Sequence, residues 1–169
     1  MTHLTTFGST PSQARPGLWS QVLPGLYQGG TADDDTIDFP QDLNDLPQVN
    51  PRHFDTVVTA YAWARPVAWM VKELRFGFYD GNVEHIPFDQ LRDIVVQAHA
   101  DWKAGRRVLV RCQAGLNRSG LITALILIRD GMSAADAIDL IRERRSPDAL
   151  FNLDFVSWLL KVDPTEWRA

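Results

Sequence analysis

The sequence predicts an α/β domain, a mainly parallel central sheet flanked by helices in three layers. Three observations predict it. Short apolar runs bounded by Gly, Pro or Asp recur at 26–28, 55–61, 74–79 and 107–111, as buried strands do. Longer segments with helical apolar spacing alternate with them and then follow them. At 169 residues, with 45% hydrophobic and 22% charged content, the chain can bury one full core.

Residues 1–20 are polar, hold Gly, Pro and Ser, and lack the apolar centre of a signal peptide. They read as a disordered leader to a single domain over 21–169. Leu26 to Gln28 is the first strand. Thr31 to Pro51 holds Asp33-Asp34-Asp35 and three prolines, so it reads as a long loop. Its aspartates suit a solvated turn or helix start better than a metal site. Asp55 to Tyr61 is the second strand. Arg65-Pro66 can open a short helix through Lys72, with Pro66 in its first turn. Leu74 to Tyr79 alternates as another strand.

Pro87 to Ala104 carries Leu91, Ile94, Val95, Ala98 and Trp102 at helical spacing, and Gly105 stops it. Strand Arg107 to Arg111 follows, then a helix to about Asp130, ended by Gly131. Ser133 with Asp136 three residues on makes a capping-box-like start for a helix through Arg144 or Arg145. Asn152 to Leu160 is the last helix, with Phe155, Trp158 and Leu159 on one face.

A net charge of −4 argues against a nucleic-acid-binding surface. The longest apolar run, Leu121 to Ile128, is far short of the roughly 18 residues that span a bilayer. The single cysteine cannot form an internal disulfide, which fits a reducing cytoplasm and leaves a free thiol. His3, His53, His85 and His99 show no metal-ligand spacing, and no dinucleotide or Walker motif occurs. Neither metal nor cofactor is expected.

That cysteine is where the chemistry concentrates. Val108 to Arg111 is an apolar strand running into Cys112, a Gly-containing loop, Arg118 and Ser119. Five residues thus separate thiol and guanidinium at a strand-to-helix turn, a setting that favours a thiolate. The amides of Gln113, Ala114, Gly115, Leu116 and Asn117 can form an anion-binding nest, with Gly115 supplying a positive φ and Asn117 tolerating a left-handed one. Arg118 can clamp two oxygens of a tetrahedral anion over the sulfur. A cysteine-based phosphate-ester hydrolase requires this set. A leaving alkoxide or phenoxide also needs a proton from a carboxylic acid. Asp80, 32 residues before Cys112 and followed by Gly81, is the preferred acid. Asp89 is the alternative, and it reads better as the N-cap of the helix near Gln90.

Cys-x5-Arg-Ser with Gly three after the Cys resembles the catalytic loop of the cysteine-dependent protein tyrosine phosphatases, most closely the compact dual-specificity branch. Leu23 to Gly30 looks like that family's opening strand and Phe54 to Thr59 like its second. Phe78-Tyr79-Asp80-Gly81 looks like the acid loop of some members, and Arg142-x-x-Arg145 with Phe155 to Leu159 like the closing helices. The resemblance implies a three-layer phosphatase-like domain and a cysteinyl-phosphate intermediate. It implies that Cys112, Arg118, Asp80 and Ser119 are catalytic, the Ser119 hydroxyl donating to the sulfur. Spacing alone suits Ser119 equally well as a plain N-cap.

One departure stands out: Arg111 occupies the position of the family's histidine, and it can donate to loop carbonyls. The resemblance implies a phosphorylated protein or small phosphate ester as substrate, with phosphotyrosine first and phosphoserine or phosphothreonine after it. A phosphoinositide, a nucleotide, an RNA 5′ phosphate, or phosphate binding without turnover are the alternatives. The loops at 61–65 and 80–85 are expected to set pocket depth.

Overall fold

The computed structural model describes residues 17–31 and 53–169. Their sheet has five strands: β1 (Trp19–Leu23), β2 (Leu26–Gly29), β3 (Thr56–Thr59), β4 (Lys72–Arg75) and β5 (Val108–Arg111). The order is β1-β2-β5-β3-β4, and only the β1–β2 hairpin is antiparallel. β3 and β5 are buried at every position, as strands of a parallel sheet are. Five helices follow the pattern of the chain: α1 (Phe88–Lys103), α2 (Arg118–Arg129), α3 (Ala134–Arg144), α4 (Leu153–Lys161) and α5 (Pro164–Arg168).

α2 is the central helix. Every residue from Ser119 to Ile128 is buried, so it is apolar all round rather than along one stripe. It packs with α1, α3, α4 and α5 on one face of the sheet, against Leu26, Val58, Val108 and Val110. The opposite face carries Val57 and Leu109 with Phe54, beneath Trp19, Tyr27, Val67 and Val71. No helix among the described residues forms a third layer on that side. The Thr31–Pro51 reading, with the Asp33–Asp35 triplet, falls outside the described residues except for Thr31.

α1 stops at Gly105, whose φ of 85° ends the helix, and Ser133 caps α3 by accepting from the Asp136 amide. Elsewhere the structure corrects the sequence. β1 begins at Trp19, inside the segment read as leader, whose residues 1–16 lie outside the described ones. The helix expected over 66–72 does not form. Val67 and Val71 have helical spacing because both cover the sheet, while Trp69 and Met70 between them are exposed and Met70 takes a φ of 82°. The strand expected at 74–79 is shifted to Lys72–Arg75. The alternation of Phe76 and Phe78 records burial in the core, since β3 ends at Thr59, whose carbonyl takes the Phe76 amide at 2.9 Å. Finally, α5 extends the chain beyond the expected last helix, burying Trp167.

Candidate active site

The central strand β5 delivers Cys112 to the carboxyl edge of the sheet, where α/β folds place their ligands. The thiol is 2% exposed and free of any disulfide. Ser119 Oγ lies 3.3 Å from Cys112 Sγ. Ser119 is not the helix N-cap: Asn117 holds that position, with ordinary negative φ of −93° rather than a left-handed one.

Four carbonyls of the loop between Cys112 and Arg118 are tied down from outside. Gln113 O accepts from the Thr31 amide at 3.0 Å, and Leu116 O from the Leu150 amide at 3.2 Å. Gly115 O accepts from Gln28 Nε2 at 3.1 Å and from Arg145 Nε at 3.0 Å. Ala114 O takes a longer bond, 3.4 Å, from Arg145 Nη2. In a planar trans peptide the next N–H points opposite to the carbonyl. Holding these carbonyls outward therefore turns the amides of Ala114 to Asn117 the other way. Among the described residues none of these amides donates to a backbone carbonyl. The loop continues into the first turn of α2, whose amides have no intrahelical acceptor. Gly115 has a φ of 73°, and a Cβ there would stand 2.4 Å from the Gly29 carbonyl carbon. Only glycine fits.

A pocket of about 580 Å³ opens beside this loop, lined by Tyr61, Trp63, Phe78, Tyr79, Asp80, Gln113 and Arg118 among others. The loops flanking it are thus 61–63 and 77–80, and of the expected 80–85 segment only Asp80 takes part. Arg118 lies over the Tyr61 ring with its guanidinium carbon 5.3 Å from the centroid, and its Nη1 donates to Phe78 O at 3.3 Å. Asp80 is exposed yet anchored: Oδ2 accepts from Asn117 Nδ2 and Oδ1 from Asn152 Nδ2, both at 2.8 Å. Asn152 also caps α4 through its Oδ1, so one residue joins the Asp80 loop to a helix start.

Asp89 is not the cap of α1. That position is Pro87, without a side-chain bond, and Asp89 sits exposed in the first turn, where an acidic side chain complements the helix dipole. Arg111 is buried at 5%, and its guanidinium reaches Thr59 Oγ1 (3.0 Å), Arg65 O (2.6 Å) and Glu73 Oε2 (3.1 Å). The carbonyl it holds belongs to the 61–65 loop. Gln28, Arg145 and Asn152 were not legible as site residues. Arg145 had the best signal, a basic residue at a helix end beside Ser146-Pro147, but Gln28 lies 87 positions from the carbonyl it holds.

Fold and site define the class: a parallel α/β domain whose central strand presents a buried cysteine beneath an arginine-flanked amide loop. Comparison with known proteins narrows it. The family described as dual specificity phosphatase, catalytic domain, matches residues 82–164. The chain is 29% identical over 145 residues to dual specificity protein phosphatase 1B of Arabidopsis thaliana, covering 85% of this chain and 81% of that one. Among solved structures it resembles human DUSP28, with TM-score 0.68 and 24% identity over 92% of this chain and 97% of the other. It also resembles a mouse putative dual specificity phosphatase, with TM-score 0.65 and 22% identity over 96% and 92%. Over its fold and its cysteine loop the chain is similar to the compact dual-specificity phosphatases. The family match starts after Asp80. Among the described residues no helix is long and apolar enough to cross a membrane, and no three His, Cys, Asp or Glu side chains gather as metal ligands.

Proposed function

We propose that the chain hydrolyses phosphate monoesters, phosphotyrosine first and phosphoserine or phosphothreonine after it, through a cysteinyl-phosphate and without a metal. The observation that carries the reading is the outward tethering of four loop carbonyls beside Cys112 and Arg118. It builds a hollow of amides sized for a tetrahedral oxyanion. In the first step Cys112 Sγ, as thiolate, attacks phosphorus while the ester P–O bond breaks. Asp80 gives its proton to the departing oxygen. Its two amide donors leave a lone-pair site free on each carboxylate oxygen, so anchoring and proton transfer are compatible. Arg118 and the loop amides hold the equatorial oxygens, where charge spreads in the transition state. In the second step Asp80 takes a proton from water, the water oxygen attacks phosphorus, and the S–P bond breaks. Ser119 Oγ, 3.3 Å from the sulfur, donates to the leaving thiolate.

Electrons and protons balance without an added ion. The aromatic flanks Tyr61, Trp63 and Tyr79 favour an aryl ester over a compact polyanion such as a phosphoinositide headgroup, because they offer apolar faces and no cation. A reducing cytoplasm is the compartment that keeps the sole cysteine a free thiol.

Cys112→Ser tests this. Turnover of a phosphotyrosine peptide should fall to background while binding of inorganic phosphate, read by calorimetry, persists, because a neutral hydroxyl is a far weaker nucleophile. A variant keeping a sizeable share of the wild-type rate would remove Cys112 from the chemistry.

A further inference from the structure

We propose that Arg111, with Glu73 and Arg75, is a positioning device that holds the 61–65 loop at the mouth of the pocket and thereby sets affinity for the organic part of the ester. The inference rests on the phosphatase reading for its kinetic consequence, but its structural half stands apart.

The register places the parts. Thr59 pairs with Arg111 across β3 and β5 and with Arg75 across β3 and β4, and Val57 pairs with Glu73. With a side-chain period of two, Thr59, Glu73, Arg75 and Arg111 share one face of the sheet. Glu73 is the hub. Its Oε2 accepts from Thr59 Oγ1 at 2.8 Å and Arg111 Nη2 at 3.1 Å, and its Oε1 accepts from Arg75 Nε at 3.2 Å. From this hub the two guanidinium groups reach outward to the loop. Arg75 donates to Tyr61 O (3.4 Å), Ala62 O (3.1 Å) and Ala64 O (2.9 Å), and Arg111 to Arg65 O (2.6 Å).

Four carbonyls of a five-residue loop thus end on two arginines joined by one carboxylate. The loop forms no helix or strand; within it Tyr61 O also accepts from the Ala64 amide at 3.2 Å, and the arginines supply donors to the other three carbonyls. It carries Tyr61 and Trp63 into the pocket lining, and the Tyr61 ring lies under Arg118. Trp63 is 82% exposed, so packing does not hold it in place. Tyr61 packs on the core and Ala64 is buried, while the arginine pair ties down the loop's carbonyls. Lysine would substitute only in part, because Arg111 uses Nε and Nη2 on three acceptors in fork geometry that a point charge lacks.

Arg111 also directly precedes Cys112, and its carbonyl accepts from the Ala60 amide at 2.8 Å, so nucleophile and recognition loop are referenced to the same residue. The device touches neither the sulfur nor the phosphate hollow. Its loss should therefore weaken binding of the organic group and spare phosphate binding.

Arg75→Gln is the primary variant, since the Arg75 side chain is 32% exposed and its replacement leaves the core filled. On a phosphotyrosine peptide it should raise KM about tenfold with kcat within about threefold, the pattern of lost uniform binding. The inhibition constant for inorganic phosphate should stay within about twofold, because that anion meets only the loop amides and Arg118. Hydrogen exchange at amides of 61–65 should quicken while 108–129 keeps its protection. Arg111→Gln should act in the same direction, with Arg111→Lys restoring part of the loss. KM and the phosphate constant worsening together would overturn the proposal by placing the arginines in phosphate binding, as would unchanged KM with a quickened loop. Unchanged exchange would overturn it whatever the kinetics. A wild type no more active than Cys112→Ser would instead defeat the phosphatase reading, leaving exchange to judge whether the arginines hold the loop.

Discussion

Asp80 is held by residues that the chain brings from 37 and 72 positions away. Asn117 and Asn152 each donate one amide hydrogen to a different carboxylate oxygen, and Asn152 also donates to Gly81 O at 3.1 Å. The Asp-Gly loop is thereby bolted to the loop between Cys112 and Arg118 and to the start of α4, which fixes Asp80 without burying it. If Asp80 protonates the leaving group, Asp80→Asn should slow hydrolysis of a phosphotyrosine peptide by roughly 10²–10⁴-fold. The loss should be smaller on nitrophenyl phosphate, whose leaving group departs without help. Asp89→Asn should be close to wild type on both substrates, because Asp89 lies in the first turn of α1 and outside the pocket lining. Steady-state rates on the two substrates decide. A deep defect in Asp89→Asn beside a normal Asp80→Asn would move the acid one loop later.

At the scale of elements, the loop between Cys112 and Arg118 has little structure of its own and borrows its shape from β2, the Thr31 segment, the end of α3 and the Leu150 turn. Gly115 is where those supports converge. Gly115→Ala forces a side chain into the Gly29–Gly30 backbone at a φ of 73°, a conformation that costs an L-residue about 1–2 kcal/mol before any clash. The nest should open. kcat/KM should drop at least about a hundredfold and phosphate affinity about tenfold, as misplacement near 1 Å does. Activity and calorimetry with soluble variant protein check it, and near-normal kinetics would show that the loop keeps its shape without these contacts.

The same borrowing explains what could be read in advance. α1 to α4 were legible because each carries its own cap, stop or apolar period within one segment. The Cys-to-Arg loop was legible because its chemistry lies in consecutive residues. β1 and α5 were not, being five residues each and stabilised by neighbours distant in sequence. Nor was the segment 66–72, where Val67 and Val71 imitate helical spacing while answering to the sheet beneath them. Gln28, Asn152 and the Glu73 hub with its two arginines stayed hidden for a related reason: their roles exist only between segments far apart in sequence.

For the whole molecule, the sheet separates two jobs. Its carboxyl edge carries the pocket, while its opposite edge, roughly 13 Å away along four-residue strands, is clamped by carboxylates. Asp101 on α1 is buried and accepts from Thr56 Oγ1 (2.8 Å), Lys72 Nζ (2.9 Å) and Arg106 Nη1 (2.6 Å), joining the starts of β3 and β4 to the helix layer. Asp55 accepts from the Arg107 amide and guanidinium at the start of β5. Burial pushes the Asp101 carboxyl up, but the bonds from Lys72 and Thr56 and the charges of Lys72 and Arg106 outweigh it, so its pKa is lowered. Asp55 is lowered chiefly by its side-chain bond to Arg107.

A carboxyl depressed in the folded state binds its proton more readily when unfolded. Its stabilisation is complete above the unfolded value near pH 4 and is lost as pH falls through the folded value. The urea midpoint should therefore hold near neutrality and decline once pH drops below about 4. Asp101→Asn should cost about 1–3 kcal/mol at pH 7, the value of hydrogen bonds to a charged group. That difference should shrink on acidification, because protonated wild type comes to resemble the variant. At pH 7 the pocket should keep its kcat, being at the other edge of the sheet. A wild-type-to-variant gap that stays constant from pH 7 to pH 3 would show that Asp101 acts through packing and not through its charge.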